Sequence, residues 1–251
     1  MEQKKLPFVD LCPNALEIWS ERDMTNEELI KFVEKYGKCQ LKTKDKLIEK
    51  LDTPLKLAEF SLKHIGDNRI DRFIDDVLEK SKEYKIMKKN MPSKTPKALQ
   101  DYQESYPNYN KKEVDKEIRK INALLADGQY IFHGGKWFDD KKNELVTTKP
   151  FSTTLSPQIA VNEALHNGKA YDNNGIDLFV LKVKNPKTPV FVYKNKGTNL
   201  GYEKEILFAS KARLTLKSKK IIENKEVYKF TNSLQELCKE VPVRLLEVEI
   251  E

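Results

Sequence analysis

Three short stretches of the chain carry residue types that can do chemistry. GYEKEILF, residues 201–208, sets Glu203 and Glu205 on either side of Lys204 and runs straight into Ile206-Leu207-Phe208. In a strand, residues i and i+2 point to one face, so the spacing predicts two carboxylates aimed together at the mouth of a buried strand. Such a pair suits a reaction with two separate demands: a fixed anion to steady developing positive charge, and a base to ready an attacking group. YIFHGGKW, residues 130–137, carries His133 off the end of a short strand onto Gly134 and Gly135. Backbone without side chains turns sharply and lets a ligand come close. KPFSTTLSP, residues 149–157, lines up Ser152, Thr153 and Thr154 ahead of Ser156-Pro157. That last pair reads as a helix start, with serine at the cap and proline at the first helical position. Each stretch alone has an ordinary reading: a solvated Glu-Lys-Glu face, a strand-end turn, a helix cap. Their order along one chain is more specific than any of them.

That order resembles the ADP-ribosyltransferase family, which consumes NAD to attach ADP-ribose to a target. The resemblance covers roughly residues 128–250. In the branch related to cholera toxin and the clostridial toxins, the marks are an Arg-Gly strand end, a Ser-Thr-Ser strand and a Glu/Gln-x-Glu motif at the start of a strand. FSTTLSP is similar to the second mark, with Ser152 in the serine position, and GYEKEILF to the third. His133 departs from this branch. His-Gly is what the diphtheria-toxin and poly-ADP-ribose-polymerase branch carries, and that branch has a tyrosine where Ser152 stands. The chain is therefore a His–Ser–Glu hybrid.

The resemblance implies a fold of class α+β, a helical N-terminal region followed by a split β-sandwich that binds NAD as co-substrate, with no metal. It implies that Glu205 accepts from the ribose 2′-hydroxyl and offsets the sugar's developing charge, and that Glu203 orients or deprotonates the nucleophile, with arginine the favoured acceptor. It puts His133 on the ribose side of NAD, the Gly134 backbone on the nicotinamide amide, and Ser152 and Thr153 at the cofactor site, Ser152 bracing Glu205 or touching the ribose. The loop from Tyr193 to Tyr202 corresponds to the target-recognition loop, with both tyrosines candidates for packing on a protein target. The implied activity is mono-ADP-ribosyl transfer by an effector, toxin or phage protein. Its alternatives are NAD hydrolysis on the same site, an inactive domain of this fold serving as an interaction module, and transfer to nucleic acid.

The elements that must position these residues fall into two periods. Thr25-Asn26-Glu27-Glu28 is a capping-box pattern ahead of Leu29, Phe32, Val33 and Tyr36, with Gly37 as the stop. Thr53-Pro54 opens a helix through Ile65. Asp67 caps a third, with Ile70, Phe73, Ile74, Val77 and Leu78 as its stripe, and Asn110 caps a fourth that runs to Gly128. Residues 88–110, rich in Pro and Tyr, read as a linker or surface arm. After Gly128 short β-rich runs follow: 130–132, 177–183, 189–193, 205–208, 212–216, 226–230 and 244–250, with one helix from Ser156-Pro157 and a short one near Ser233. The expected division is a helical region, 1–109, including the linker at 88–109, and a catalytic domain, 110–251.

Composition narrows the partners. The 251 residues are 34% charged, with a net charge of +7, which favours anionic partners or a nucleotide. The lysines sit in mixed-sign runs such as KKEVDKEIRK, which read as solvated helix faces. A protein target, of host origin where the chain is an effector, is expected, with nucleic acid the lesser alternative and no membrane insertion. Cys12, Cys39 and Cys238 have no metal-ligand spacing, and His64, His133 and His166 are scattered, so reduced thiols are expected. The N-terminal stretch has no apolar core with a cleavage site. The expected location is the cytoplasm, or a host cell reached without a cleavable signal.

Overall fold

A computed structural model describes residues 3–137, 141–194, 200–230 and 235–251. The chain folds as two compact units, residues 12–53 and residues 1–11 with 54–251.

The larger unit opens with β1 (Lys4–Lys5); the smaller follows with β2 (Leu16–Asp23), α1 (Asn26–Tyr36) and β3 (Lys42–Leu51). In α1 the capping box forms as the sequence predicts: Thr25 and Glu28 each accept the other's backbone N–H, and Gly37 closes the helix in the left-handed region, at φ 63. The strands on either side correct the expectation that everything before residue 109 is helical. β2 and β3 pair antiparallel. Their cross-strand partners are largely charged, as in Lys50 with Glu17 at 3.1 Å. An exposed pair of this kind is screened by water and leaves little apolar alternation to read.

The larger unit continues with α2 (Pro54–Lys63), α3 (Arg69–Lys80), α4 (Lys82–Lys89), α5 (Lys97–Glu104), α6 (Lys111–Ile121), β4 (Ala123–Leu124), β5 (Tyr130–Gly135), β6 (Glu144–Val146), β7 (Phe151–Thr154), α7 (Pro157–Leu165), α8 (Lys169–Asn173), β8 (Ile176–Val183), β9 (Val190–Val192), β10 (Glu205–Phe208), β11 (Arg213–Phe230) and β12 (Glu236–Ile250). Residues 54–109, expected with the helical region, thus group with the β-rich part of the chain. The arm expected at 88–110 holds α5 and the end of α4. α6 stops earlier than expected, because Asn122 turns left-handed at φ 53 and Ala123–Leu124 joins the sheet. The runs at 212–216 and 226–230 belong to one strand, β11. The helix expected near Ser233 falls on residues outside those described, and Glu236–Ile250 is strand.

The larger unit's strands run in the order β1-β4-β9-β10-β7-β5-β8-β12-β11-β6. The sheet is not uniformly joined. β5 pairs with β8 over six positions, from Tyr130 with Lys182 to Gly135 with Asp177, and β7 pairs with β10 over four. Between β5 and β7 the only pairing among the described residues is Phe132 with Thr154. Past that point the two halves part. Each half is covered, and apolar but for Asp177: Ile176–Leu181 and Ile206–Phe208 are buried throughout. α7 lies over β5 and β8 through Ala160, Val161 and Ala164. A Cβ on Gly134 would lie 1.7 Å from the Ala160 carbonyl oxygen, so the glycine is what lets α7 come this close.

Candidate active site

The opening between β5 and β7 gathers four of the expected residues, His133, Gly134, Ser152 and Glu205. In the β5–β8 ladder, Val183 N–H donates to Gln129 C=O. Antiparallel alternation then turns the N–H and C=O of Tyr130, Phe132 and Gly134 away from β8. For Gly134 that direction is the opening itself. His133, one residue earlier, stands between the rings of Phe151 at 4.4 Å and Phe179 at 5.3 Å. Its Nδ1 lies 2.8 Å from the Ser152 carbonyl oxygen. Burial pushes the imidazole down to about 4, against the raising effect of that hydrogen bond, and the nearby charges of Lys169 and Lys149 push the same way as burial. His133 is therefore neutral at pH 7. Because a carbonyl only accepts, Nδ1 carries the proton and Nε2 keeps a free lone pair. A Cβ on Gly135 would meet that Nε2 at 2.4 Å, so this second glycine makes room for the ring. The strand end beyond is fixed by the Trp137 N–H, which donates to the buried Asp177 carboxylate at 3.1 Å, itself paired with Arg244.

Ser152 faces β10. Its hydroxyl donates to Glu205 Oε1 at 2.6 Å. Glu205 is buried, only 5% exposed, and its other oxygen accepts from Gln103 Nε2 at 2.7 Å. Burial raises its carboxyl to about 6, Ser152 and Gln103 pull it back down, and the Glu163 charge adds to the rise. Thr153 alternates to the other side of β7. Its hydroxyl donates to the Ile206 carbonyl at 2.7 Å and it is buried, so it joins β7 to β10 rather than the His133–Ser152–Glu205 group. Thr154 donates to the Glu203 carbonyl at 2.7 Å.

The expectation that Glu203 and Glu205 share a strand face is corrected by the backbone. Residues Gly201–Glu203 form a single 3₁₀ turn, Lys204 turns left-handed at φ 53, and β10 begins only at Glu205. Lys204 explains the departure. Its ammonium leaves the two glutamates and lies 3.0 Å from both Asp71 and Asp75 of α3, with the side chain almost wholly buried. Ser156 also donates to Asp71, at 2.7 Å. Glu203 nonetheless stays within the field of Glu205. Burial first, then Glu205 and Glu163, raise it to about 7.

Of the two tyrosines expected to face a target, Tyr202 is exposed and Tyr193 is not. Tyr193 is buried beside Phe191, and its hydroxyl donates to the Leu99 carbonyl of α5 at 2.8 Å. That removes it from any target-facing surface. Residues 195–199 of the same loop lie outside the described residues.

Sequence reasoning missed α5 altogether. Leu99 and Tyr102 are buried, Gln103 reaches Glu205, and Tyr102 sits close enough that burial and the Glu205 charge hold its phenol well above the ordinary range. The signal was confined to Leu99 and Tyr102, three residues apart behind Pro96. Among the described residues no group of three or more His, Cys, Asp or Glu is placed to hold a metal ion, and no helix is long and apolar enough to cross a membrane.

No family model matches the chain, and no curated protein does. Among solved structures, the chain is similar to the ADP-ribosyltransferase Vis from Vibrio splendidus in complex with agmatine, at 15% identity over 76% of this chain and 89% of that one, with a TM-score of 0.44. It is similar to the enzymatic component C2-I of the Clostridium botulinum C2 toxin, at 10% identity over 64% of this chain and 44% of that one, with a TM-score of 0.33. Plx2a, an ADP-ribosyltransferase toxin from Paenibacillus larvae, is similar at 13% identity over 61% and 78%, with a TM-score of 0.31. At such scores the likeness assigns no activity to this chain; the argument for one rests on the site.

Proposed function

We propose that the chain is a mono-ADP-ribosyltransferase that cleaves the nicotinamide–ribose bond of NAD and passes ADP-ribose to a protein side chain, arginine favoured. The observation that carries this reading is the buried Glu205 carboxylate, held by Ser152 next to the β5–β7 opening, with a neutral His133 on the opening's other side. As nicotinamide departs, positive charge grows on the ribose, and a fixed anion beside it stabilises the transition state more than the ground state.

The donor set fits such a substrate. Gly134 turns a backbone donor and acceptor to the opening, which suits a carboxamide. His133 Nε2 is an acceptor, which suits a ribose hydroxyl. Arginine in its place would donate; this histidine accepts. Lys149 and Lys169, whose charges reach His133, supply the positive field a pyrophosphate needs. Glu203, raised to about 7, is poised as the base for an incoming guanidinium. A host protein is the expected target, with Tyr202 on the surface that meets it.

The test is labelled NAD with lysate and, separately, with agmatine as a minimal guanidinium acceptor. Wild-type protein is expected to label a protein band and agmatine. Nicotinamide release without labelled product would make the chain an NAD hydrolase, label that survives protease but not nuclease would make nucleic acid the acceptor, and neither release nor label would leave an interaction module. Glu205→Gln is expected to lower NAD cleavage by about 10²–10³-fold, and an unchanged rate in folded protein overturns the assignment.

A further inference from the structure

Both oxygens of the Glu205 carboxylate are taken, and by different parts of the chain. Ser152 donates to Oε1 from β7 at 2.6 Å, and Gln103 donates to Oε2 from α5 at 2.7 Å. Gln103 lies 102 residues away in sequence, within the stretch that reads as a linker. An ionised carboxylate only accepts, so the amide nitrogen must face it, and the amide oxygen is turned away by necessity. That oxygen, Gln103 Oε1, is buried and has no hydrogen-bond partner among the described residues. An amide that leaves a buried acceptor unpaired bears the cost of desolvating it, so its orientation is held by what the nitrogen does. Tyr193 fixes the helix that presents it, through the hydrogen bond to Leu99 one turn earlier on α5.

We propose that Gln103 is the positioning residue of Glu205: with Ser152 it clamps the carboxylate from two sides, fixing the plane in which the anion meets its substrate. The proposal rests on the reading of Glu205 as the catalytic anion. Burial and the neighbouring carboxylates oppose the charge of Glu205, and the phenols that face it stay neutral. Glu203 precedes β10, Glu163 comes from α7, Tyr102 from α5 and Tyr193 from the end of β9. Ser152 and Gln103 are the donors that keep the carboxylate ionised in this company.

The experiment follows the 13C carboxyl resonance of Glu205, identified by its loss in Glu205→Gln, as pH is varied in full-length protein. Gln103→Leu is expected to raise the midpoint by about one unit. Gln103→Glu, of nearly the same shape, places a second carboxyl on Oε2, and the two are expected to titrate in two well-separated steps. The same variants are assayed for NAD cleavage, where the acid limb for Gln103→Leu should move up with the resonance and kcat should fall more than KM rises. A Glu205 midpoint unchanged in both folded variants overturns the positioning role. If Gln103→Leu does not fold, Gln103→Glu carries the measurement. The titration needs no turnover, so a shifted midpoint in a protein that does not cleave NAD would sink the enzymatic reading and leave the clamp standing.

Discussion

The carboxyl groups of Glu203 and Glu205 are both raised, to about 7 and about 6, and both act in the ionised form. Each activity should therefore rise with pH. NAD cleavage is expected to climb through the region of pH 6, and transfer to agmatine to climb later, through the region of pH 7, since it also needs Glu203 as base. Parallel rate profiles for the two reactions would contradict the division of roles. Glu203→Gln should depress transfer more than cleavage, read from labelled agmatine against released nicotinamide. Between these two residues, Lys204 does structural work. Replacing it with methionine removes a buried cation from Asp71 and Asp75, both of which keep some contact with water. The cost should be about 1–3 kcal/mol, below the about 3–5 kcal/mol of a pair buried on both sides, measured by urea unfolding. The sequence made Glu203, Glu205, His133, Gly134 and Ser152 legible because their types and order are rare together. It could not tell which way Lys204 turns, since the aspartates that attract it lie far earlier in the chain, on a helix whose apolar stripe was the only visible signal.

At the scale of elements, the site depends on how closely α7 lies on β5. Gly134→Ala drives a methyl into the Ala160 carbonyl, and either the helix or the strand must move. Overpacking of this kind costs about 1–3 kcal/mol, and here it should also reduce NAD cleavage, because the strand end that carries His133 shifts with it. Thermal unfolding and turnover measured on the same variant check both. α1, α3 and α7 announced themselves through caps and periodic stripes: Thr25 with Glu28, Ile70 with Ile74 and Leu78, Ser156 with Pro157. α5 did not, because Pro and Tyr dominate its surroundings and its buried residues, Leu99 and Tyr102, are too few to make a stripe. β2 and β3 were hidden for a different reason. Charged residues pair across them, and in sequence such a run looks like a solvated helix.

Across the whole molecule, the buried site makes stability depend on pH in a definable direction. A carboxyl whose folded pKa is raised is cheaper to bury protonated, so its folded state loses ground as pH rises from the ordinary value of 4.5 through about 6 for Glu205. The loss is on the order of 2 kcal/mol above that window. His133 acts at the other end. Its pKa is lowered to about 4, so the fold loses stability as pH falls below the ordinary histidine value of 6.5. Glu205→Gln removes the first of these losses. Its stability relative to wild type should improve between pH 4.5 and pH 8 by about 2 kcal/mol, read from denaturant midpoints at the two pH values. A constant difference across that range would show that the carboxylate is better hydrated than its surroundings imply. The net charge of +7 was legible at once. The burial of an anion inside a basic protein was not, because it involves α5, far earlier in the chain, reaching Glu205 through Gln103.

α5 also bears on how the chain can be cut. A fragment beginning at residue 110 would carry every motif that attracts attention in the sequence, yet its Glu205 would keep Ser152 and lose the amide opposite, and its Tyr193 would lose the Leu99 carbonyl. Such a fragment, whose Lys204 also loses Asp71 and Asp75, should be inert in isolation and regain turnover when residues 54–109 are supplied separately. Two inert pieces that regain turnover on mixing would make this chain a natural starting point for a complementation reporter.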